Sequence, residues 1–142
     1  MSAYLGLFFS AFLASTFLPA FSEVTLGALL VQGHSPWPLW LVATSGNTLG
    51  ACVNWALGVY CRSFENHPRF PIRADKIERA GALFNRYGKW SLLFAWLPIV
   101  GDPLTFIAGT TRLKFVWFVA LVGTGKGARY AVLILLAQTI LE

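Results

Sequence analysis

The sequence predicts an all-α integral membrane protein built as an inverted repeat. Each copy is a re-entrant helical hairpin followed by a transmembrane helix, and an interfacial amphipathic helix lies between the copies. Three observations predict it. Apolar side chains make up 56% of the 142 residues and charged ones only 12%, against about 45–50% and about 25% in soluble domains. Charge is also confined in position. Glu23 is the only formally charged side chain before Arg62, Asp102 the only one between Trp90 and Thr111, and Lys126 and Arg129 the only ones between Phe115 and Leu141. Finally, one offset of 79 residues lays Leu18-Pro19 on Leu97-Pro98, Ser22-Glu23 on Gly101-Asp102 and Ser45-Gly46 on Thr124-Gly125.

Eleven basic and six acidic side chains are too few to cover the surface of a soluble fold this long. The same shortage of charge argues against disorder, a disulfide scaffold and a nucleic-acid domain. The reading is therefore one membrane domain, 1–142, with a first repeat over 1–61, a connector over 62–89 and a second repeat over 90–142.

The first hairpin is expected at 3–33, broken at Pro19, because proline removes an amide donor and clashes with the preceding turn. Its half-helices, Ala3 to Leu18 and Phe21 to Gln32, would reach roughly 24 and 18 Å, short of the ~30 Å hydrocarbon core. The second hairpin is expected at 90–111, with Pro98, Gly101, Asp102 and Pro103 at its break. Broken backbone at membrane depth is stable only where protein or a wet cavity satisfies its amides. The spans are expected at 37–61 and 115–141. Both are long enough to cross, and both carry glycines for close helix approach: Gly46, Gly50 and Gly58, then Gly123, Gly125 and Gly127. A unit with one net crossing, repeated with the connector on one side, must be inverted. Secondary transporters use that plan, with the substrate site at the midplane.

The connector holds seven basic side chains against three acidic ones, so four of the five net positive charges lie in it. Excess lysine and arginine place it in the cytoplasm. From Pro71 to Gly88 it reads as a helix with Ile77, Ala80, Phe84 and Tyr87 on one face and Arg73, Lys76, Arg79 and Arg86 on the rest. A plain charged loop is the alternative. Arg112 and Lys114 join the connector's side if the second hairpin re-enters, and lie outside if the chain spans four times. The hairpin model sets both termini outside. Cys52 and Cys61 have no metal-ligand or redox spacing and read as small packing residues. No Lys or Arg precedes the N-terminal apolar run and no clear cleavage signal lies within it, so it is expected to be mature structure.

An ionisable group inside a membrane costs about 2.5–3.5 kcal/mol on insertion scales, which makes it a functional candidate. Glu23 and Asp102 each follow a proline by four residues, at the start of a second half-helix where the dipole favours an acid. They are either helix caps or proton/cation coupling sites, since a protonated carboxyl moves through lipid far more cheaply. Lys126 and Arg129, at i and i+3 on one helix face, are counter-ions to these acids or hold an anionic headgroup. Asn47 falls on Lys126 at the offset. With Asn54 it offers polar contacts in the second stretch, or packs helices. Nothing suggests an enzyme, a metal or a cofactor: His34 and His67 are in loops, and Gly123-x-Gly125-x-Gly127 lacks the strand a nucleotide loop requires.

Pro19-x-x-Ser22-Glu23-Val24 with Gly33, Gly46-Asn47-x-x-Gly50, Arg86-Tyr87-Gly88, Pro98-x-x-Gly101-Asp102 with Ala108-Gly109, and Gly125-Lys126-x-x-Arg129-Tyr130 together resemble the DedA family, also called the VTT or SNARE-associated Golgi protein family. The likeness is greatest to its short YqaA-like bacterial members and covers nearly the whole chain. It implies a multi-pass protein of the bacterial inner membrane with two opposed re-entrant hairpins. The family is implicated in proton-dependent membrane homeostasis, undecaprenyl phosphate recycling and lipid scrambling. Glu23 falls where the family carries a functional acid. The implied partners are protons and membrane lipids, a lipid phosphate among them, and a homo-oligomer fits so small a chain. The wider family has arginines three residues either side of the second-hairpin proline, where this chain has Ala95 and Gly101, which weakens the case for a lipid phosphate. The function expected is a proton-linked transporter or flippase of a lipid or other amphiphile; the alternative is a non-transporting membrane-organising or assembly protein.

Overall fold

A computed structural model describes residues 1–15, 21–60, 74–96 and 101–142, with the backbone alone at 21, 74–80, 101 and 102. Pro19, Cys61, His67 and Pro98, and the connector up to residue 73, lie outside the described residues. What is described is helical: α1 (Ser2–Ala14), α2 (Phe21–Val31), α3 (Pro36–Tyr60), α4 (Ala74–Tyr87), a 3₁₀ stretch (Gly88–Phe94), α5 (Gly101–Thr110) and α6 (Phe115–Leu141). No strand occurs among these residues, so the all-α class expected of the sequence is observed.

Helix length is set by the breakers. At about 1.5 Å per residue, α1, α2 and α5 are about 20, 17 and 15 Å long, too short for a ~30 Å core, whereas α3 and α6 exceed it. Among the described residues, α6 passes a combined test of length and mean hydropathy for a span. α3 is uncharged and nearly as long, but its Pro, Trp, Asn, Ser and Thr residues lower its hydropathy.

Two compact units result, Met1–Gly50 with Lys126–Glu142, and Ala51–Gly125. In the first, α1 and α2 pack together, and Leu7, Leu26, Leu29, Leu30, Leu39, Ala43, Tyr130 and Ile134 form its core. Glycine brings α1 onto α3: a Cβ on Gly46 would lie 2.5 Å from the Phe8 carbonyl oxygen, and one on Gly50 would lie 2.6 Å from that of Phe12. Trp40 Nε1 donates to the Gly127 carbonyl at 2.8 Å, tying α3 to α6.

In the second unit the core is Ala51, Leu92, Ala95, Leu104, Phe106, Ile107, Ala108, Phe118, Leu121 and Val122. α4 packs on α5, and Leu83 and Phe84 join the core. Leu83 and Phe84 thus serve the protein's own core while Tyr87 on the apolar face is exposed, so the helix expected to be interfacial packs in part on protein. The expected apolar stretch from residue 90 begins as a 3₁₀ segment rather than an α-helix, and α5 covers the range expected for its second half. Gly58 and Gly109 face each other, a Cβ on either falling inside contact distance of the other helix's backbone. Trp55 Nε1 donates to the Leu113 carbonyl at 3.2 Å. The Lys89 ammonium sits 3.8 Å from the Trp117 ring centroid and 5.5 Å from that of Trp90, a cation–aromatic anchor suited to a membrane surface.

The offset of 79 reappears in the backbone. Adding 79 to Phe21–Val31 gives 100–110, beside α5 at 101–110, and adding it to Pro36 gives Phe115, the first residue of α6. The helix ends match as well. After α2, Gly33 N–H donates to Leu30 and His34 N–H to Leu29; after α5, Arg112 N–H donates to Gly109 and Leu113 N–H to Ala108. Both are Schellman caps, with Gly33 (φ 87°) and Arg112 (φ 55°) in the left-handed position. That position costs a side chain about 1 kcal/mol. Gly33→Ala, which meets no atom within 4 Å, is therefore expected to destabilise by about that amount and Arg112→Gly to stabilise by a similar one. Thermal unfolding of the two variants checks the pair, and effects of the same sign would contradict it.

Candidate functional site: a buried cation cluster in the first unit

Three residues of α6, Lys126, Arg129 and Tyr130, recur at helical spacing and meet polar groups from α1, α2 and α3. Lys126 is 3% exposed, and its Nζ donates to Ser15 Oγ at 3.1 Å and to Asn47 Oδ1. Asn47 in turn donates through Nδ2 to the Ala11 carbonyl at 2.9 Å. One turn on, Arg129 pairs with Glu23, which stands in the first turn of α2. The next residue, Tyr130, is buried and shares a 2.8 Å hydrogen bond with the buried Ser22 hydroxyl.

Local structure accounts for the convergence. Ser22 and Glu23 begin α2 just after the proline-bearing segment, so both lie in its first turn, where the dipole favours the acid. Gly46 and Gly50 flank Asn47 by one residue and three. By letting α1 approach α3, they bring the Ala11 carbonyl to the asparagine amide. A buried ammonium needs oxygen partners, and Ser15 and Asn47 supply them.

Of the residues singled out in the sequence, the structure brings together Glu23 with Arg129 and Asn47 with Lys126. Asn54 belongs to the other unit, where its Nδ2 donates to Thr105 Oγ1 at 3.3 Å. Asp102 is the second residue of α5, matching Glu23 in α2 at the offset, but its side chain lies outside the described residues. Gly101 begins α5, and Pro103 is buried in its first turn, where an absent amide hydrogen costs nothing. Among the described residues no group of His, Cys, Asp and Glu could hold a metal.

Sequence reasoning missed Ser15 altogether and noted Ser22 and Tyr130 only as motif letters. Ser15 carries no sequence signal. Tyr130 does: at i+4 from Lys126 and adjacent to Arg129, a phenol on the charged side of an otherwise apolar helix needs a partner.

Next to this cluster on α6 lies an open apolar groove of about 350 Å³ lined by Pro36, Trp37, Trp40, Ala131, Ile134 and Leu135. Trp37 and Trp40 stack at 5.3 Å at the start of α3. Val132, Leu135, Leu136 and Ile140 are exposed on the same helix, as expected where the solvent is hydrocarbon.

The VTT domain model matches residues 18–139. Inner membrane protein YqaA of Escherichia coli is 41% identical over 128 residues, covering 88% of this chain and 84% of the relative. The protein of the same name from Shigella flexneri matches equally. An uncharacterized protein of Haemophilus influenzae is 36% identical over 143 residues, covering 95% of this chain and 87% of its own. No solved structure matches the chain. The matched length and the identities mean that the chain belongs to the VTT-domain family, the family of the DedA proteins.

Proposed function

We propose that the chain is a proton-linked transporter or flippase of a lipid or other amphiphile in the bacterial inner membrane, with Glu23 and Asp102 as coupling acids. The observation that carries this reading is the Glu23–Arg129 ion pair beside the buried Lys126, near the middle of α6. An acid that exchanges an arginine for a proton has two states of different charge, and a transport cycle requires two such states. A polar cluster and an open apolar groove on neighbouring faces of one helix suit an amphiphile. The name of the YqaA relatives supports the location.

The architecture that goes with it is an inverted repeat of re-entrant hairpin and span. Matching bounds and caps at the offset of 79 support the repeat. Re-entry of the second hairpin is supported by Lys89 lying against Trp117. Were residues 90–111 a span, those two would stand on opposite surfaces about 30 Å apart. The connector 62–89 then faces the cytoplasm with Arg112 and Lys114. Cysteines at Ser63 and Thr111 should react with an impermeant reagent from the same side; reaction from opposite sides would demand four spans.

Glu23→Gln leaves Arg129 an amide oxygen as acceptor, so it and Asp102→Asn should each abolish transport while leaving membrane insertion intact, and an active double variant would overturn the assignment. One observation favours a second reading, a membrane-organising or assembly protein. Glu23, Arg129, Lys126 and Asn47 all have partners within their own unit, as a purely structural cluster would. That reading predicts that loss of either acid lowers protein abundance.

A further inference from the structure

Asn47 and Lys126 are 79 residues apart, the offset at which the helix bounds and caps coincide, and their side chains are hydrogen-bonded to each other. Each is also the twelfth residue of its helix, counted from Pro36 and from Phe115. A two-fold rotation separates a residue from its mate by twice the residue's distance from the axis. Mates that touch must therefore stand beside the axis. In an inverted repeat that axis lies in the plane of the membrane, near mid-depth, and with α3 and α6 as the two spans of the proposed repeat, the twelfth residue of a 25- or 27-residue helix stands near mid-depth too. Two separate lines, the contact and the depth, give the same location.

We infer that Asn47 and Lys126 form one pair on the repeat axis, that the site requires a single cation there, and that position 47 can hold the lysine in place of position 126. The inference rests on the inverted repeat proposed above. The surroundings support the exchange. Both residues donate to α1 and the residue after it, four positions apart: Asn47 Nδ2 to the Ala11 carbonyl at 2.9 Å, and Lys126 Nζ to Ser15 Oγ at 3.1 Å. With the two residues exchanged, an ammonium at 47 has the Ala11 carbonyl and the amide oxygen at 126 as acceptors. The amide NH₂ at 126 has Ser15 Oγ. The number of donors and acceptors is unchanged. Two lysines would instead set two ammonium groups in hydrogen-bonding reach of each other, and two asparagines would remove the charge. A cation on the axis is equally far from both surfaces, so an anionic group entering from either side meets it at the same depth.

The test is a set of three purified variants, K126N, N47K and N47K/K126N, carried through thermal unfolding in detergent and lipid movement in liposomes. Each single variant should unfold about 5 °C or more below the parent, and the exchanged double should return to within about 2 °C of it. K126N should slow transport about tenfold or more, and the double should recover most of the rate. A double variant that fails to insert, or that is no more stable than the worse single, overturns the inference; so does a K126N protein that transports at the parent rate. If the parent moves no lipid, the transport reading fails by itself, and the unfolding measurements still decide whether the pair is exchangeable.

Discussion

Gly109→Leu is expected to unfold the second unit. Gly109 on α5 and Gly58 on α3 approach so closely that a Cβ on Gly58 would stand 3.0 Å from the Gly109 Cα, and one on Gly109 would overlap the Trp55 backbone. The atoms in the way are main chain and cannot rotate aside, so a leucine must push two helices apart. Doing so opens contacts around Phe106, Ile107 and Ala108, all buried. Overpacking of this kind costs about 3 kcal/mol or more where backbone must move. Gly6→Leu is the control, since nothing lies within 4 Å of a Cβ there. Abundance and monodispersity in detergent should collapse for the first variant and hold for the second. Equal tolerance of both would mean that α3 and α5 are not packed through this glycine pair.

The second large effect is expected at Arg129. Replacing it with leucine leaves the Glu23 carboxylate without the cation it faces, and an unpaired charge within the membrane costs about 2.5–3.5 kcal/mol on insertion scales. Arg129→Leu should therefore be poorly produced and inactive. Adding Glu23→Leu removes the stranded charge, so the double variant should return to near-parental abundance while still moving no lipid. Recovered abundance without activity separates the structural contribution of the pair from the coupling role proposed for it. A double variant that transports would show that neither residue couples anything, and a double as scarce as the single would show that the pair is not what stabilises this part of the unit.

Much of this was legible in the sequence because lipid imposes strict rules on backbone and charge. Proline positions and the offset of 79 pointed to the short helices α1, α2 and α5, and the uncharged stretches to the long helices α3 and α6. Glu23, Lys126 and Arg129 stood out because charge is costly in an apolar segment. Pairing was less accessible. Arg129 with Glu23 and Lys126 with Asn47 were two of several combinations the spacing allowed, and only the register of α6 against α2 and α3 selects between them. Ser15 was invisible, since a serine near a helix end has no distinctive pattern until an ammonium is seen beside it. The 3₁₀ stretch at Gly88–Phe94 was hidden for a related reason: Trp90 and Leu92 to Phe94 are as apolar as a helix interior, and Gly88 at φ 62° marks where α4 ends without fixing the conformation of residues 89–94. α4 taught the converse lesson. Its amphipathic pattern is plain, but periodicity does not say whether the apolar face meets lipid or protein, and Leu83 and Phe84 meet protein.

The central question is whether Glu23 couples proton and lipid movement. The most direct measurement reconstitutes the purified protein in liposomes, imposes a pH gradient, and tracks the leaflet distribution of a short-chain polyprenyl phosphate and of an ordinary phospholipid. Movement of at least one lipid that depends on the gradient and vanishes in Glu23→Gln is the predicted result. Correctly inserted protein that moves neither lipid, or moves one equally well without the carboxylate, would contradict it.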